Sequence, residues 1–202
     1  KPSEFRLLGK RIPNVDNHAI VIGENLFGQD FKREGMAVAV VARPPAFGLK
    51  LVSVDDSRTK SMPGVQQVVR FGNKVAVLAN TTWEAKKGRD ALQLQWAPEG
   101  ELESTDQHDS ALRALLDKAA ETPRRKDGNT EPAFAQASKT VEAVYECPFL
   151  PHNAMEPLNF FADVRPDGVL MVGPTQTPES ARTQIAKLLQ IDQKKIRVEM
   201  TR

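Results

Sequence analysis

The stretch Leu158-Asn-Phe-Phe-Ala-Asp-Val164, Arg165-Pro-Asp-Gly168, Val169-Leu-Met-Val172, Gly173-Pro-Thr-Gln176 decides the fold. Its two apolar runs flank four residues in which Pro and Gly supply turn geometry, so they predict a β-hairpin. The residues after Gln176 read as a helix. Thr177 is a suitable N-cap, Pro178 suits the first helical position and Glu179 complements the dipole, while Ala181, Ile185, Leu188 and Leu189 recur at helical spacing. This order of strand, loop and helix puts Gln176 in a strand-to-helix connection. Backbone N–H groups at a helix start attract anions, and a side-chain amide can donate to one oxygen while accepting elsewhere. Two readings of Gln176 stay open on these residues: a ligand for an oxyanion or phosphate, or a residue that caps and packs.

Working outward, Lys139 to Phe149 predicts a long strand, with Val141, Ala143 and Tyr145 on one face and Glu142, Val144 and Glu146 on the other. Lys195 to Met200 predicts another. Between Thr122 and Ala137 the composition turns to Pro, Arg, Lys, Asp, Gly and Asn, which marks a domain boundary, and Pro132 to Ala137 adds a helical turn. The expected division is residues 1–128 and residues 129–202.

The first part is rich in strand signals. After an arm with many turn residues, Met36 to Ala42 is almost wholly apolar and predicts a strand buried on both faces, stopped by Arg43-Pro44-Pro45. Leu49 to Asp55 predicts a second strand, Asp56 to Ser61 a short helix, and Val65 to Phe71 with Lys74 to Ala79 a hairpin around Gly72-Asn73. Thr81 or Thr82 caps a helix running to about Asp90, and Ala91 to Trp96 returns as a strand. Trp83 and Trp96, without interleaved basic residues, read as core. Ser104 and Gln107 make a capping box for a helix with an apolar stripe of Leu112, Leu115, Leu116 and Ala119, and His108 falls at its surface.

Composition narrows the function. The 202 residues are 40% hydrophobic, enough for a real core, and 28 Lys plus Arg against 26 Asp plus Glu leave a net charge of +2. That balance carries no nucleic-acid or membrane-surface footprint. The densest basic cluster, Arg124-Arg125-Lys126, reads as solvated linker. One cysteine, Cys147, allows neither an internal disulfide nor an iron–sulfur cluster held by several thiolates of this chain. The histidines His18, His108 and His152 lack metal-ligand spacing, so no metal ligands are assigned. No apolar run is long enough to span a bilayer. The chain begins at Lys1 rather than Met, so it is expected to be part of a longer polypeptide, any export signal lying upstream.

Three groups of residues together resemble a known family: His152-Asn-Ala-Met-Glu-Pro157, Arg165-Pro-Asp-Gly168 and Gly173-Pro-Thr-Gln176. They resemble the start of the molybdenum-binding region in large subunits of the xanthine dehydrogenase and aldehyde oxidase family, most nearly the branch formed by the beta subunits of isoquinoline 1-oxidoreductase. Phe27-Gly28-Gln29-Asp30, Met62-Pro-Gly-Val65 and Trp83-Glu-Ala-Lys-Lys-Gly-Arg89 extend the resemblance to the α/β hammerhead domain of the same subunits, in the same order. Asn153-Ala154 departs from the Ala-Pro of many members.

The resemblance implies an α/β (α+β) fold: a hammerhead-like mixed domain followed by the first part of a molybdopterin-binding domain. It implies that Gln176 lies beside a molybdenum centre and hydrogen-bonds an oxo ligand, while Met155 and Glu156 receive no chemical role. It further implies a molybdopterin cytosine dinucleotide cofactor, an iron–sulfur partner subunit, and oxidation of an aldehyde or N-heterocycle with water-derived oxygen. The glycine-rich pterin loop and the catalytic glutamate are expected beyond Arg202, so this stretch alone is expected to be inactive. The alternative is a non-catalytic docking and assembly module for the iron–sulfur subunit. A hydrolase built on Ser180 or His152 lacks any nucleophile elbow or nucleophile–base spacing.

Overall fold

The structure, a computed structural model, describes residues 2–25, 27–118, 122, 124–125 and 127–202. It mixes helices and strands, as expected for an α/β (α+β) chain. The chain divides into two compact units: residues 35–147, and residues 1–34 together with residues 148–202. The division expected at 128/129 falls inside the first of these units. In the arm, α1 (Asn17–Val21) and single 3-10 turns at Pro2–Glu4 and Gly28–Asp30 are the regular elements.

The 35–147 unit is organised around a hairpin. Strands β1 (Val38–Ala42) and β2 (Leu49–Asp55) precede α2 (Ser57–Lys60), and then come β3 (Val65–Phe71) and β4 (Lys74–Ala79). The β3–β4 turn uses Gly72 at φ +50°, and Phe71 pairs with Lys74. β4 lies between β1 and β3, antiparallel to both, and Val75, Ala76, Val77 and Ala79 are buried. β1 is therefore an edge strand and only half-buried, a correction to the expected strand with two buried faces. An all-apolar run can serve at an edge when one face alone is covered.

That cover is α3 (Thr82–Ala91), whose N-cap Thr81 accepts a hydrogen bond from the Glu84 N–H. Ala85 and Gly88 form its buried face, and a Cβ on Gly88 would stand 2.8 Å from Val77 Cγ1. The buried Thr59 hydroxyl of α2 donates to the Gly88 carbonyl at 2.9 Å, so the two helices are tied together over the same sheet. Trp83 corrects the core expectation: it is 63% exposed, with Lys87 Nζ 4.7 Å from its ring centroid. Two residues at about 100° each separate it from Ala85, which turns it away from the sheet.

β5 (Gln93–Pro98) pairs antiparallel with β2, with a bulge between Leu51 and Ser53. Asn73 in the hairpin turn joins this pair to the other sheet, accepting from Leu51 N–H and donating to the Leu49 carbonyl, each at 3.3 Å. Asp55 accepts from both the hydroxyl and the N–H of Ser57, which holds its carboxyl below the usual range.

Helix α4 (Thr105–Leu116) opens on the expected capping box, Ser104 accepting from Gln107 N–H and Gln107 accepting from Ser104 N–H. Its stripe is not buried, Leu112, Leu115 and Leu116 all being exposed, and Ala119 lies outside the described residues. Of the Arg124-Arg125-Lys126 cluster, Arg125 pairs with Asp127 and Lys126 lies outside the described residues. α5 (Thr130–Gln136) comes next. The strand expected over 139–149 does not form, because no described strand lies alongside to complete its ladder. Val141 and Tyr145 are 84% and 90% exposed there, and the salt bridge of Glu146 to Arg113 is the segment's tie to α4.

Candidate functional site: the loop before the last long helix

The unit of residues 1–34 and 148–202 is built on β6 (Phe161–Arg165), β7 (Gly168–Gly173), α6 (Pro178–Leu189) and β8 (Ile196–Met200). The β6–β7 hairpin turns through Pro166-Asp167, with Arg165 opposite Gly168 and Phe161 opposite Val172. β8 lies parallel to β7 on its other side, so α6 is the crossover of a strand–helix–strand unit. In such units ligands collect at the carboxyl ends of the strands. The loop 174–177 is at that end.

One sheet face is dry. Val169, Ala186 and Ile196 are buried together with Met171, Ile185, Ile191 and Val198 packed around them. The buried side of α6 therefore runs through Ile185 and Ala186, whereas Leu188, placed in the stripe by spacing, is 75% exposed. α6 stops at Gln190, which takes the left-handed conformation at φ +56°.

The other face is covered by the amino-terminal arm. Phe31 meets Phe161 with ring centroids 4.7 Å apart, and Arg33 pairs with Asp163 at 3.0 Å. Arg202 beyond β8 pairs with Asp16.

The loop itself is built from short-range constraints. Gly173 ends β7 because the Phe160 ring lies across it, and a Cβ there would stand 2.8 Å from that ring. Thr177 is the N-cap residue of α6, but its hydroxyl makes no cap bond; instead its N–H donates to Thr175 Oγ1 at 3.1 Å. Pro178 takes the first helical turn, and the Ala181 N–H returns to the Thr177 carbonyl at 3.1 Å. Gln176 is exposed between them, and its side chain has no hydrogen-bond partner among the described residues. No capping hydrogen bond of the Gln176 side chain is present among the described residues. At the same end of the sheet, Thr201 N–H donates to the Gly173 carbonyl, while Thr201 Oγ1 is buried without a partner.

The other residues singled out by sequence lie apart from this loop. His152 and Met155 are exposed, and Cys147 is an exposed free thiol. His108 is exposed, 2.8 Å from Glu103. Glu156, left without a role by sequence reasoning, is half-buried and accepts from the Gln29 N–H at 3.0 Å and from Asn159 Nδ2 at 2.8 Å. Among the described residues no group of three or more His, Cys, Asp and Glu side chains could hold a metal ion, and no helix is long and apolar enough to cross a membrane.

This sheet, crossover and loop fall within residues 115–202, which match the profile of the molybdopterin cofactor-binding domain. The chain is a homologue of dehydrogenase and oxidoreductase subunits, among them subunits of nicotinate dehydrogenase and isoquinoline 1-oxidoreductase and one named as a large molybdopterin subunit. It is 27% identical to a nicotinate dehydrogenase subunit of Pseudomonas putida over 96% of this chain and 17% of that protein. Identity is 30% to the beta subunit of isoquinoline 1-oxidoreductase from Brevundimonas diminuta, over 52% of this chain and 13% of that one. It is also 30% to the membrane-bound aldehyde dehydrogenase [pyrroloquinoline-quinone] of Gluconacetobacter polyoxogenes, over 96% of this chain and 26% of that one. The aldehyde oxidoreductase of Desulfovibrio gigas shares the fold, with a TM-score of 0.69 at 18% identity over 96% of this chain and 26% of that structure. The chain thus spans about a quarter or less of these proteins' lengths.

The donor set at the loop fits one edge of a molybdopterin cofactor. An unpartnered amide after β7 and the first-turn backbone of a twelve-residue helix offer neutral donors to anionic oxygens, and the one carboxylate of that turn, Glu179, is ion-paired with Arg182. The buried, unpartnered hydroxyl of Thr201 is a further polar group at that edge.

Proposed function

We propose that this chain is the part of a molybdenum hydroxylase large subunit that supplies the Gln176 edge of the cofactor site. The observation that carries the proposal is the free amide of Gln176 at the carboxyl end of β7 and the start of α6, inside the stretch that matches the cofactor-binding domain. In this reading, residues 1–128 are the arm and hammerhead portion and residues 129–202 begin the cofactor domain. The cofactor proposed here, the cytosine dinucleotide form, would supply the chemistry of a two-electron oxidation of the substrate with water as the oxygen source.

The work of this chain's own residues is to hold and orient. Gln176 donates an amide N–H to an anionic oxygen of the bound group, and the first turn of α6 adds a favourable dipole. A neutral amide suits this place because an ionised carboxylate would repel the same oxygen. Residues 174–177 carry no proton-accepting side chain and the nearby Glu179 is ion-paired with Arg182, so the base proposed for the reaction is a glutamate outside these residues.

The substrate class proposed is an aldehyde or an electron-poor N-heterocycle of the isoquinoline or nicotinate kind, which the names of the relatives support. The proposed electron acceptor is an iron–sulfur partner subunit, as the family resemblance implies; Cys147 alone could not hold such a cluster within these residues.

The test is Gln176→Ala in the full-length enzyme, assayed on an aldehyde and on nicotinate at equal molybdenum content. A donor aimed at developing charge contributes about 3 kcal/mol, so kcat should fall roughly a hundredfold with little change in melting temperature. Gln176→Glu should fall further. Parental turnover in both fully loaded variants would withdraw the role. In addition, the 202-residue polypeptide purified alone should bind no stoichiometric molybdenum and oxidise neither substrate, because one amide cannot replace the backbone cradle a pterin's phosphate needs.

A further inference from the structure

The geometry points to Gly28 and Glu156 as positioning residues for Gln176, an inference that rests on the reading above. Residues 27–33 of the arm do more than cover the outer face of the β6–β7–β8 sheet. They abut the loop that carries the amide.

Three contacts make this a clamp. Glu156 Oε1 accepts both the Gln29 backbone N–H at 3.0 Å and Asn159 Nδ2 at 2.8 Å, and Asn159 Nδ2 also reaches the Pro157 carbonyl at 2.9 Å. The 3-10 turn Gly28–Asp30 is closed on itself, since Asp30 Oδ2 accepts from Phe27 N–H and Asp30 N–H donates to the Phe27 carbonyl. Gly28 is thereby pressed between two groups: a Cβ built on it would stand 2.2 Å from Asn159 Oδ1 and 2.8 Å from Pro174 Cδ.

The consequence is specific to the loop. Asn159 Oδ1 is a side-chain end, but its amide is already held by Glu156 and Pro157, and the Pro174 ring has no rotamer by which to retreat. Pro174 is two residues from Gln176, and the other neighbours of the loop are also fixed, Gly173 under the Phe160 ring and Thr177 N–H on Thr175 Oγ1. Any side chain at position 28 must therefore push Pro174, and with it Gln176. At position 156 an acceptor oxygen is needed, whereas a charge is not: both partners are N–H donors, and a Gln in the same rotamer offers them the same oxygen.

Neither residue touches the proposed ligand, so the test must separate positioning from bulk stability. In the full-length enzyme, Gly28→Ala, Glu156→Ala and Glu156→Gln are compared with Gln176→Ala for molybdenum content, melting temperature, kcat and KM on one aldehyde, and the electron paramagnetic resonance spectrum of the partly reduced enzyme. A crystal structure of Gly28→Ala reads the loop directly.

Displacing a catalytic group by about 1 Å costs on the order of a hundredfold, so Gly28→Ala and Glu156→Ala should lose roughly ten- to a hundredfold in kcat at parental molybdenum content. Their spectra should be perturbed in the same sense as that of Gln176→Ala, and Glu156→Gln should restore both. The crystal structure should show Pro174 to Gln176 displaced. An unmoved loop with parental kcat in Gly28→Ala overturns the proposal. So does a Glu156→Gln enzyme as impaired as Glu156→Ala, and that pair decides the matter should Gly28→Ala fail to accumulate. If the loop moves but Gln176→Ala turns over like the parent, the clamp stands and the function assigned to Gln176 falls.

Discussion

The segments 74–79 and 139–149 look alike in sequence and end up unlike in structure. Both are rich in Val and Ala and both predict strands. The first is β4, hydrogen-bonded on both sides and closed by α3, with Val75, Val77 and Ala79 fully buried. The second is extended chain with Val141, Val144 and Tyr145 in solvent. The difference is not propensity. A ladder needs a partner within reach, and β4 has one two residues away through the Gly72-Asn73 turn, whereas 139–149 is preceded by α5 and followed by an irregular run to residue 160. Strand pairing rewards the closure of a short loop immediately, and alternation without pairing stabilises nothing.

The contrast can be broken at its strongest point first. Val77→Ala removes two methyl groups from a side chain with no solvent exposure, and should destabilise the 35–147 unit by about 2–3 kcal/mol in urea unfolding. A loss below about 0.5 kcal/mol would mean that β4 is not the centre of that core. Gly88→Ala should cost roughly 1–3 kcal/mol, because its Cβ would meet Val77 Cγ1 at 2.8 Å. The two changes share one volume, so the double variant should be less destabilised than the sum of the single ones; strict additivity would contradict the packing described. Smallest of all, Tyr145→Ala should shift stability by no more than about 0.5 kcal/mol, its ring being exposed. Hydrogen exchange offers the same comparison without mutation: amides of 75–79 protected, those of 139–149 exchanging near the rate of unstructured chain.

The features legible in the sequence share a common range. The β3–β4 and β6–β7 hairpins, the Thr81 cap, the Ser104 capping box and the Pro178 helix start all depend on residues within a few positions of one another, and all are present. Gln176 is legible in the same way, as the residue between a strand end and a helix start. The sequence could not say that Trp83 would face solvent, since a ten-residue helix has several faces it could bury and the small pair Ala85 and Gly88 won by fitting against Val77. Nor could it assign Glu156, whose backbone partner, Gln29, lies 127 residues away.

The sequence by itself determined the local elements, the two turns with their glycines, the near-neutral charge balance and the place of Gln176 at the end of a strand, because each follows from backbone sterics, short-range hydrogen bonds or composition. Tertiary structure alone decided which apolar segments found partners, that the arm would close the outer face of the β6–β7–β8 sheet, and that Gly28 would come to rest against Pro174. Those outcomes rest on surfaces meeting across long sequence separations, where shape and the competition for a single buried face decide, and no short window of residues records either.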